Sequence, residues 1–193
     1  MKMSDTSLSR RALFGTALLS ALLLAGTTQA ASDPEAFVTS VGNNVLDVAR
    51  QGSEDGFRSL LRANADVETI AVFSLGAYRK NLSAGQKPEY VSLVEAYISR
   101  VFTQNAQRLA GKSIEVTGSQ KAADSVIVKS NLRYDDGHSV PVVWRLVNRG
   151  GSYKIFDVNV DGIWLATTQK TNFVAVLKQN NGNIDALLAY LKQ

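Results

Sequence analysis

The side chains that could do acid–base or metal chemistry are few. The chain has one histidine, His138, and no cysteine, which excludes disulfides, thiol nucleophiles and thiolate metal sites. A zinc site needs three or four His, Cys or carboxylate ligands, and a catalytic triad needs a histidine oriented by a neighbour. Because His138 follows Asp135-Asp136-Gly137, a hairpin-turn sequence, we interpret it as a solvated turn residue. We therefore predict no catalytic residue and no metal site.

Three charged residues lie among apolar neighbours further along the chain. Asp157 and Asn159 share one face of a predicted strand, so they are either polar groups directed into a pocket or part of a solvent face. Arg145 lies on the preceding strand, where we favour a structural cross-strand pair with Asp157 over contact with a ligand headgroup. Asp161 precedes Gly162 and fits a turn or a helix cap.

These residues lie in strands that are apolar on both faces. One face of the predicted strand at 140–147 carries Val140, Val142, Trp144 and Leu146. The opposite face is mostly apolar around Arg145, because successive side chains of a strand point to opposite faces. A sheet that is apolar on both faces needs two covers, and a bound ligand is a candidate for one of them.

Hydrophobic periodicity predicts helices before Lys112 and strands after it. The helical spacing of apolar residues predicts helices at 36–49, 56–63, 67–75 and about 89–110. Alternation with a period of two then predicts strands at 114–119, 126–134, 140–147 and 153–160. Further helices are predicted at 165–177 and 184–191. Asp33, Asp66 and a Ser83–Gln86 capping box mark three helix starts.

Four consecutive strands joined by short turns form an antiparallel meander, because short links do not permit parallel pairing. Helices, then a meander, then helices give an α+β fold, with N-terminal helices and a C-terminal helix packed on one antiparallel sheet. The length suits a single domain at 31–193, since no repeat or linker divides it.

Residues 1–30 have the composition of an export signal. A basic start, an apolar run and a small-residue cleavage site follow one another at 2–11, 13–25 and 28–30. The segment at 9–14 resembles a twin-arginine signal, so the twin-arginine and general secretory routes both stay open. Removing the signal lowers the formal net charge from +4 to about +2, and with no clustered basic stripe this argues against a nucleic-acid partner.

The segment from Tyr153 to Ile163 reads Tyr-Lys-Ile-Phe-Asp-Val-Asn-Val-Asp-Gly-Ile. It resembles the Trp-Lys-Val-Tyr-Asp-Val-x-Val-Glu-Gly-Val signature of the toluene-tolerance, or MlaC-like, periplasmic lipid-binding proteins. The segments at 73–78 and 86–102 resemble the helical part of that family, in the same order. Trp164 departs from the family, which more often has Ser at this place.

The resemblance implies a soluble periplasmic shuttle with no cofactor. Such a protein carries a phospholipid between an outer-membrane lipoprotein complex and an inner-membrane ABC transporter that bears an MCE-domain ring. The implied fold is a curved antiparallel sheet wrapped by helices, similar to the NTF2-like cone. Acyl chains enter between the sheet and the helices, and the headgroup stays outside.

With this fold, we expect an apolar lipid-binding lining. Its residues are Phe73, Tyr97, Val101, Phe102, Val128, Leu132, Trp144, Leu146, Phe156, Val158, Ile163 and Phe173. A slip of one residue along a strand would exchange its two faces. Two other functions stay open, namely a carrier of hopanoids or other polycyclic lipids, and an NTF2-like isomerase or hydrolase that would use Asp157.

Overall fold

A computed structural model of the protein describes residues 33–111 and 113–193. The helices are α1 (Pro34–Gln51), α2 (Glu54–Asn64), α3 (Val67–Ser74), α4 (Lys87–Gln104), α5 (Ala106–Leu109), α6 (Leu165–Gln179) and α7 (Ile184–Leu191), with a 3-10 helix at Gly76–Asn81. The strands are β1 (Ser113–Ala122), β2 (Ser125–Arg133), β3 (Ser139–Arg149), β4 (Ser152–Val160) and β5 (Ile163–Trp164). The predicted α+β fold is confirmed. The predicted export signal lies outside the described residues.

Local capping fixes the helix starts. The Asp33 carboxylate accepts the Glu35 N–H at 3.0 Å, and the Asp66 carboxylate accepts the Thr69 N–H at 3.3 Å. Ser83 and Gln86 exchange hydrogen bonds, because each backbone N–H donates to the other side chain at 3.2 Å. The predicted caps of α1 and α3 are therefore present, and each satisfies an N–H that has no partner within its helix. The Ser83–Gln86 bonds form the turn before α4, and the N-cap of that helix, Gln86, makes no side-chain cap.

The strands form one open antiparallel sheet in the order β1-β2-β3-β4-β5. Its register shifts between Val116 and Gly118 on β1, and again between β3 and β4, where Arg145 pairs with Asp157 but Leu146 pairs with Ile155. The second shift leaves Phe156 as an extra residue on β4. Bulges of this kind bend a sheet and increase its twist.

Helix α1 covers one side of the sheet. Val38 and Leu46 on α1 pack in the same buried cluster as Val128 and Trp144. The approach is close at Gly42, where an added Cβ would lie 2.9 Å from the Ile114 side chain. A glycine therefore allows α1 to pack directly on β1.

Helices α3, α4, α6 and α7 meet in a second apolar cluster. The Tyr90 hydroxyl of α4 donates to the Ala71 carbonyl of α3 at 2.9 Å, and burial raises the pKa of Tyr90 above its ordinary value. The buried Glu95 carboxylate accepts two contacts from the Arg62 guanidinium, at 2.9 and 3.0 Å. These contacts join α4 to its neighbours with directional bonds.

The outer edge of β4 is covered in two halves. The Asp66 N–H donates to the Ile155 carbonyl at 2.9 Å, and Ala65 forms a parallel bridge with Ile155. Further along, β5 pairs with Asn159 and Val160. The link between α2 and α3 therefore acts as a short strand for the first half of β4.

Two predicted boundaries are wrong. The helix predicted at about 89–110 ends at Gln104. The side-chain amide of Asn105 donates to the Val101 carbonyl, and the backbone N–H of Asn105 donates to the Phe102 carbonyl. An asparagine that bonds its own backbone in this way competes with helix continuation. The first strand runs to Ala122 rather than to 119, since Ala122 pairs with Ser125 across a tight turn.

Asp157 connects the sheet to α6. One carboxylate oxygen accepts the N–H groups of Val158 and Ala166, both at 2.8 Å. The residue before α6, Trp164, makes no side-chain cap, so Asp157 performs that role from a neighbouring strand. Asp161 instead lies in the turn after β4, with a φ of 50°, which confirms its predicted turn position.

The pKa of Asp157 yields a prediction for stability. Burial raises this pKa above its ordinary value, although backbone N–H donors and Arg145 partly oppose the effect. Asp157 therefore stabilises the fold at pH below the ordinary carboxyl pKa, and this contribution is lost as the pH rises through the raised value. Asp157→Asn should lack that part of the pH dependence, and Asp157→Ala should cost about 1–2 kcal/mol because Ala166 loses its acceptor. Urea unfolding across pH measures both, and identical pH profiles for the Asn variant and the wild type would contradict the assignment.

Candidate functional site

The largest continuous apolar surface of the sheet is the face that carries alternate residues of β2 and β3. We call it the inner face. Its buried centre consists of Val128, Leu132, Val142, Trp144 and Leu146, all of which are at most 5% exposed. Alternation along each strand places these side chains on one side of the sheet, which confirms the predicted grouping of Val142, Trp144 and Leu146.

The inner face is covered unevenly. Helix α1 packs over the centre of the face, where Val142, Trp144 and Leu146 of β3 are at most 5% exposed. Toward β5 the face becomes exposed. Val158 and Val160 are half-buried, and Ile163, which pairs with Val160, is 57% exposed. The apolar surface thus continues from the core to the solvent.

A second opening lies at the hairpin end of the sheet. A depression of about 280 Å³ is lined there by the inner-face residues Val126, Leu146 and Tyr153, together with the polar residues Lys121, Asp124 and Asn148. Phe37 of α1 packs against Tyr153, with ring centroids 6.4 Å apart. The depression therefore has an apolar floor formed by the inner face and a rim of polar side chains.

The polar atoms at the centre of the inner face are satisfied internally. The Trp144 indole N–H donates to the Ser130 hydroxyl at 2.9 Å, and that hydroxyl donates to the Val142 carbonyl at 3.2 Å. A buried polar group that is hydrogen-bonded in this way adds little cost to an apolar surface. The ring of Trp144 is thereby fixed in orientation.

The structure brings together part of the predicted lining. Val128, Leu132, Trp144, Leu146 and Val158 lie in the inner-face cluster. The other predicted residues lie elsewhere: Tyr97 and Phe173 among α4, α6 and α7, Phe102 against Phe57 beside α1, and Phe73 against Phe156 beside α3. Val101 and Ile163 are 37% and 57% exposed.

The bulge on β4 explains why Phe156 and Val158 separate. Ile155 and Val158 pair with Leu146 and Trp144, so both belong to the inner face. Phe156 is the extra residue, and its ring packs edge-on against Phe73 at 5.3 Å. Simple alternation counts two residues per repeat and cannot locate an inserted one.

Other residues that pack in the inner-face cluster, on the sheet or on α1, are absent from the predicted lining. They are Val38, Leu46, Val126, Val142, Tyr153, Ile155 and Val160. Strand alternation alone could have found Val142 and Val160, since Val142 shares a face with Trp144, and Val160 shares one with Val158. Ile155 required knowledge of the bulge, and the α1 residues required knowledge of which helix packs on which face.

The charged and titratable residues considered from sequence lie away from the inner face. Arg145 is the cross-strand neighbour of Asp157, which confirms the predicted adjacency, but its guanidinium lies 4.5 Å from the centroid of the Trp164 ring. The exposed His138 stacks on Tyr134 at 4.8 Å and lies in the predicted turn. Within 33–111 and 113–193, no three His, Cys or acidic side chains are grouped as metal ligands.

A pair of tyrosines lies between α4, α6 and α7, where the ring centroids of Tyr97 and Tyr190 are 6.1 Å apart. Burial raises the pKa of Tyr97 above its ordinary value. The Tyr97 ring packs edge-on against Phe173, with centroids 5.7 Å apart. Because Phe173 is fully buried, this predicted lining residue forms part of the helical core.

The fold and the site define an α+β protein whose helices partly enclose an apolar sheet face. Residues 39–193 match a family model described as MlaC protein, and the chain belongs to this family. None of the helices in the described ranges combines the length and the apolar character needed to cross a membrane.

One curated protein and one solved structure are similar to the chain. The intermembrane phospholipid transport system binding protein MlaC of Haemophilus influenzae is 23% identical over 62% of the chain, and the match spans 57% of that relative's length. A phospholipid-binding protein from Ralstonia solanacearum, solved in complex with a phospholipid, has a TM-score of 0.71 at 20% identity. This match covers 83% of the chain and 96% of that structure. At this identity the second likeness shows the fold.

The inner face is buried at its centre and exposed at its edge, so substitutions at the two places should lower the free energy of unfolding by different amounts. Leu146→Ala removes a fully buried side chain and should cost about 2–5 kcal/mol of unfolding free energy. Ile163→Ala, on the same face at the exposed edge, should change stability by less than about 0.5 kcal/mol. Urea unfolding at neutral pH compares the two, and similar costs would show that the edge is as tightly covered as the centre.

Proposed function

We propose that the chain is a soluble periplasmic carrier that binds phospholipid acyl chains against the inner face of its sheet. The observation that carries this proposal is the inner face itself. It is apolar apart from the Ser130 hydroxyl, which is hydrogen-bonded to Trp144, and it is exposed toward Val160 and Ile163. Membership of the MlaC family and the names of the two similar proteins, both of which concern phospholipid, support the choice of ligand.

The energetics of acyl chains suit a carrier. Each buried methylene contributes about 0.8 kcal/mol of transfer free energy. Removing two chains of about 15 methylenes each from water therefore contributes on the order of 20 kcal/mol. Spontaneous release into water is therefore negligible. Loading and unloading require a docked partner that offers an equally apolar route.

In this proposal the partners lie in both membranes. The carrier exchanges phospholipid with an inner-membrane ABC transporter bearing an MCE-domain ring and with an outer-membrane lipoprotein complex, and so maintains the lipid asymmetry of the outer membrane. The export signal at 1–30 delivers a single lipid-binding domain at 31–193 to the periplasm. The intermembrane transport system in the name of the Haemophilus relative supports this assignment.

The lining proposed from sequence is extended by the inner-face geometry. Val128, Leu132, Trp144, Leu146 and Val158 form its centre, and Ile155, Val160 and Tyr153 are added from the same cluster. Val101 and Ile163 are apolar and exposed, which suits residues at an entrance. Phe73, Tyr97, Phe102, Phe156 and Phe173 would contact the chains only where the cavity reaches the helical clusters.

The position of Asp157 favours binding over catalysis. Asp157 and Val158 are adjacent on β4, so their side chains point to opposite faces. The Asp157 carboxylate caps α6 at 2.8 Å from the Ala166 nitrogen and lies away from the inner face. An isomerase or hydrolase would need its base within the pocket that holds the substrate.

The first test concerns the lipid that accompanies the protein. We expect freshly purified protein to contain phospholipid in a defined molar ratio, and delipidation to lower its melting temperature, because an emptied apolar cavity costs stability. Organic extraction followed by mass spectrometry identifies the lipid. A hopanoid or another polycyclic lipid would indicate the alternative cargo, and an empty protein that is equally stable before and after extraction would contradict lipid binding.

The second test uses opposite faces of adjacent strands. Trp144→Glu and Val158→Glu place a charge on the inner face and should reduce the lipid bound per protein, because an unpaired charge disfavours an apolar ligand. Val143→Glu is the control, since Val143 is half-buried like Val158 but lies on the opposite face. Lipid phosphorus per folded protein, with folding checked by circular dichroism, measures the effect. Equal lipid content in Val158→Glu and Val143→Glu would exclude the inner face as the binding surface.

A further inference from the structure

A shallow basic depression lies between the 3-10 helix and α6. Its volume is about 460 Å³, and it is lined by Phe73, Gly76, Ala77, Arg79, Lys80 and Lys170. Three of these residues are cations, and none is acidic. Arg79 and Lys80 are exposed at the rim, and Lys170 is half-buried.

The three cations carry uncompensated charge. Arg79, Lys80 and Lys170 make no ion pair within the described residues, whereas lysines of the neighbouring helices do. Lys87 pairs with Glu68 at 2.6 Å, and Lys192 pairs with Glu89 at 2.8 Å. Three cations without an ion pair in the described part of the chain thus lie together around one depression that has no acidic residue in its lining.

One cation is held in place and two are exposed on the rim. The Lys170 ammonium lies 4.9 Å from the centroid of the Phe73 ring, a cation–π contact that orients the side chain. Gly76 has a φ of 55°, and an added Cβ would lie 3.2 Å from Cε of Lys170. This glycine therefore lets the 3-10 helix close onto Lys170, while the side chains of Arg79 and Lys80 extend into solvent.

We propose that this basic depression is a docking site for an acidic segment of a protein partner. Its concave shape admits protruding Asp or Glu side chains, whereas a bilayer presents a flat surface. The Phe73 ring, which lines the depression, contacts Phe156 at 5.3 Å, and Phe156 is the extra residue of the β4 bulge rather than a residue of the inner face. The inference goes beyond cargo binding and does not depend on which lipid is carried.

Electrostatic docking suits a protein that must find and leave its partners repeatedly. Exposed complementary charges accelerate association and fix orientation, and they contribute little to residence time. Their effect also weakens with salt, since the screening length falls from about 10 Å at 0.1 M to about 3 Å at 1 M.

The test maps an acidic peptide onto the protein. We expect deca-glutamate to shift the amide resonances of residues 76–80 and 170 in the ¹⁵N-labelled protein, and deca-glutamine to leave them unchanged. The triple variant R79Q/K80Q/K170Q should weaken peptide binding by about tenfold or more. The matched triple R108Q/K129Q/K178Q, which removes the same charge and the same residue types from exposed positions elsewhere, should weaken binding by less than about twofold. Thermal melting checks that both triples are folded.

Three outcomes would overturn the proposal. Peptide-induced shifts spread over cations outside the depression, or equal weakening in the two triples, would show non-specific attraction. Equal or stronger shifts from inorganic phosphate or phosphatidylglycerol vesicles would assign the depression to phosphate or to a membrane surface. Loss of co-purified lipid in R79Q/K80Q/K170Q alone would make it part of the cargo site. A protein without lipid that still binds the peptide at the depression would contradict only the proposed carrier function.

Discussion

The inner face of the sheet is the constraint on which the rest of the structure depends. Its central side chains must be kept from water, and the Trp144–Ser130 hydrogen bond fixes the largest of them without leaving a polar atom unpaired. Helix α1 covers the β1–β2 side, with Gly42 allowing the close approach. Helices α2, α3 and α6 pack on β4 at the other margin of the sheet, and α4 and α7 pack on those helices.

Local signals predicted most of the fold. The caps at Asp33 and Asp66 and the turn at Ser83–Gln86 act within a few residues of the chain, so a reader of the sequence can recognise them. Strand alternation placed Val142, Trp144 and Leu146 on one face for the same reason. The break at Asn105 was missed because the apolar pattern continues across it, and only the side chain's bond to the Val101 carbonyl ends the helix.

Features that depend on distant partners were not predictable in this way. The bulge at Phe156 is defined by pairing with β3, and it moves Ile155 to the inner face and Phe156 toward α3. The sequence pattern presents Asp157 as a pocket residue or an ion-pair partner, whereas in the structure it caps a helix that starts several residues later. The basic depression joins Arg79 and Lys80 to Lys170, and no sequence window contains all three.

The two-part covering of β4 has a consequence for the behaviour of the protein in solution. An uncovered strand edge offers unpaired N–H and C=O groups to other chains and promotes aggregation. Here the Asp66–Ile155 hydrogen bond and the short strand β5 occupy successive parts of that edge, while the irregular register of β1 at Val116–Gly118 interrupts the other edge. Both margins of the sheet thus resist the addition of a foreign strand, which favours solubility in a chain without disulfides.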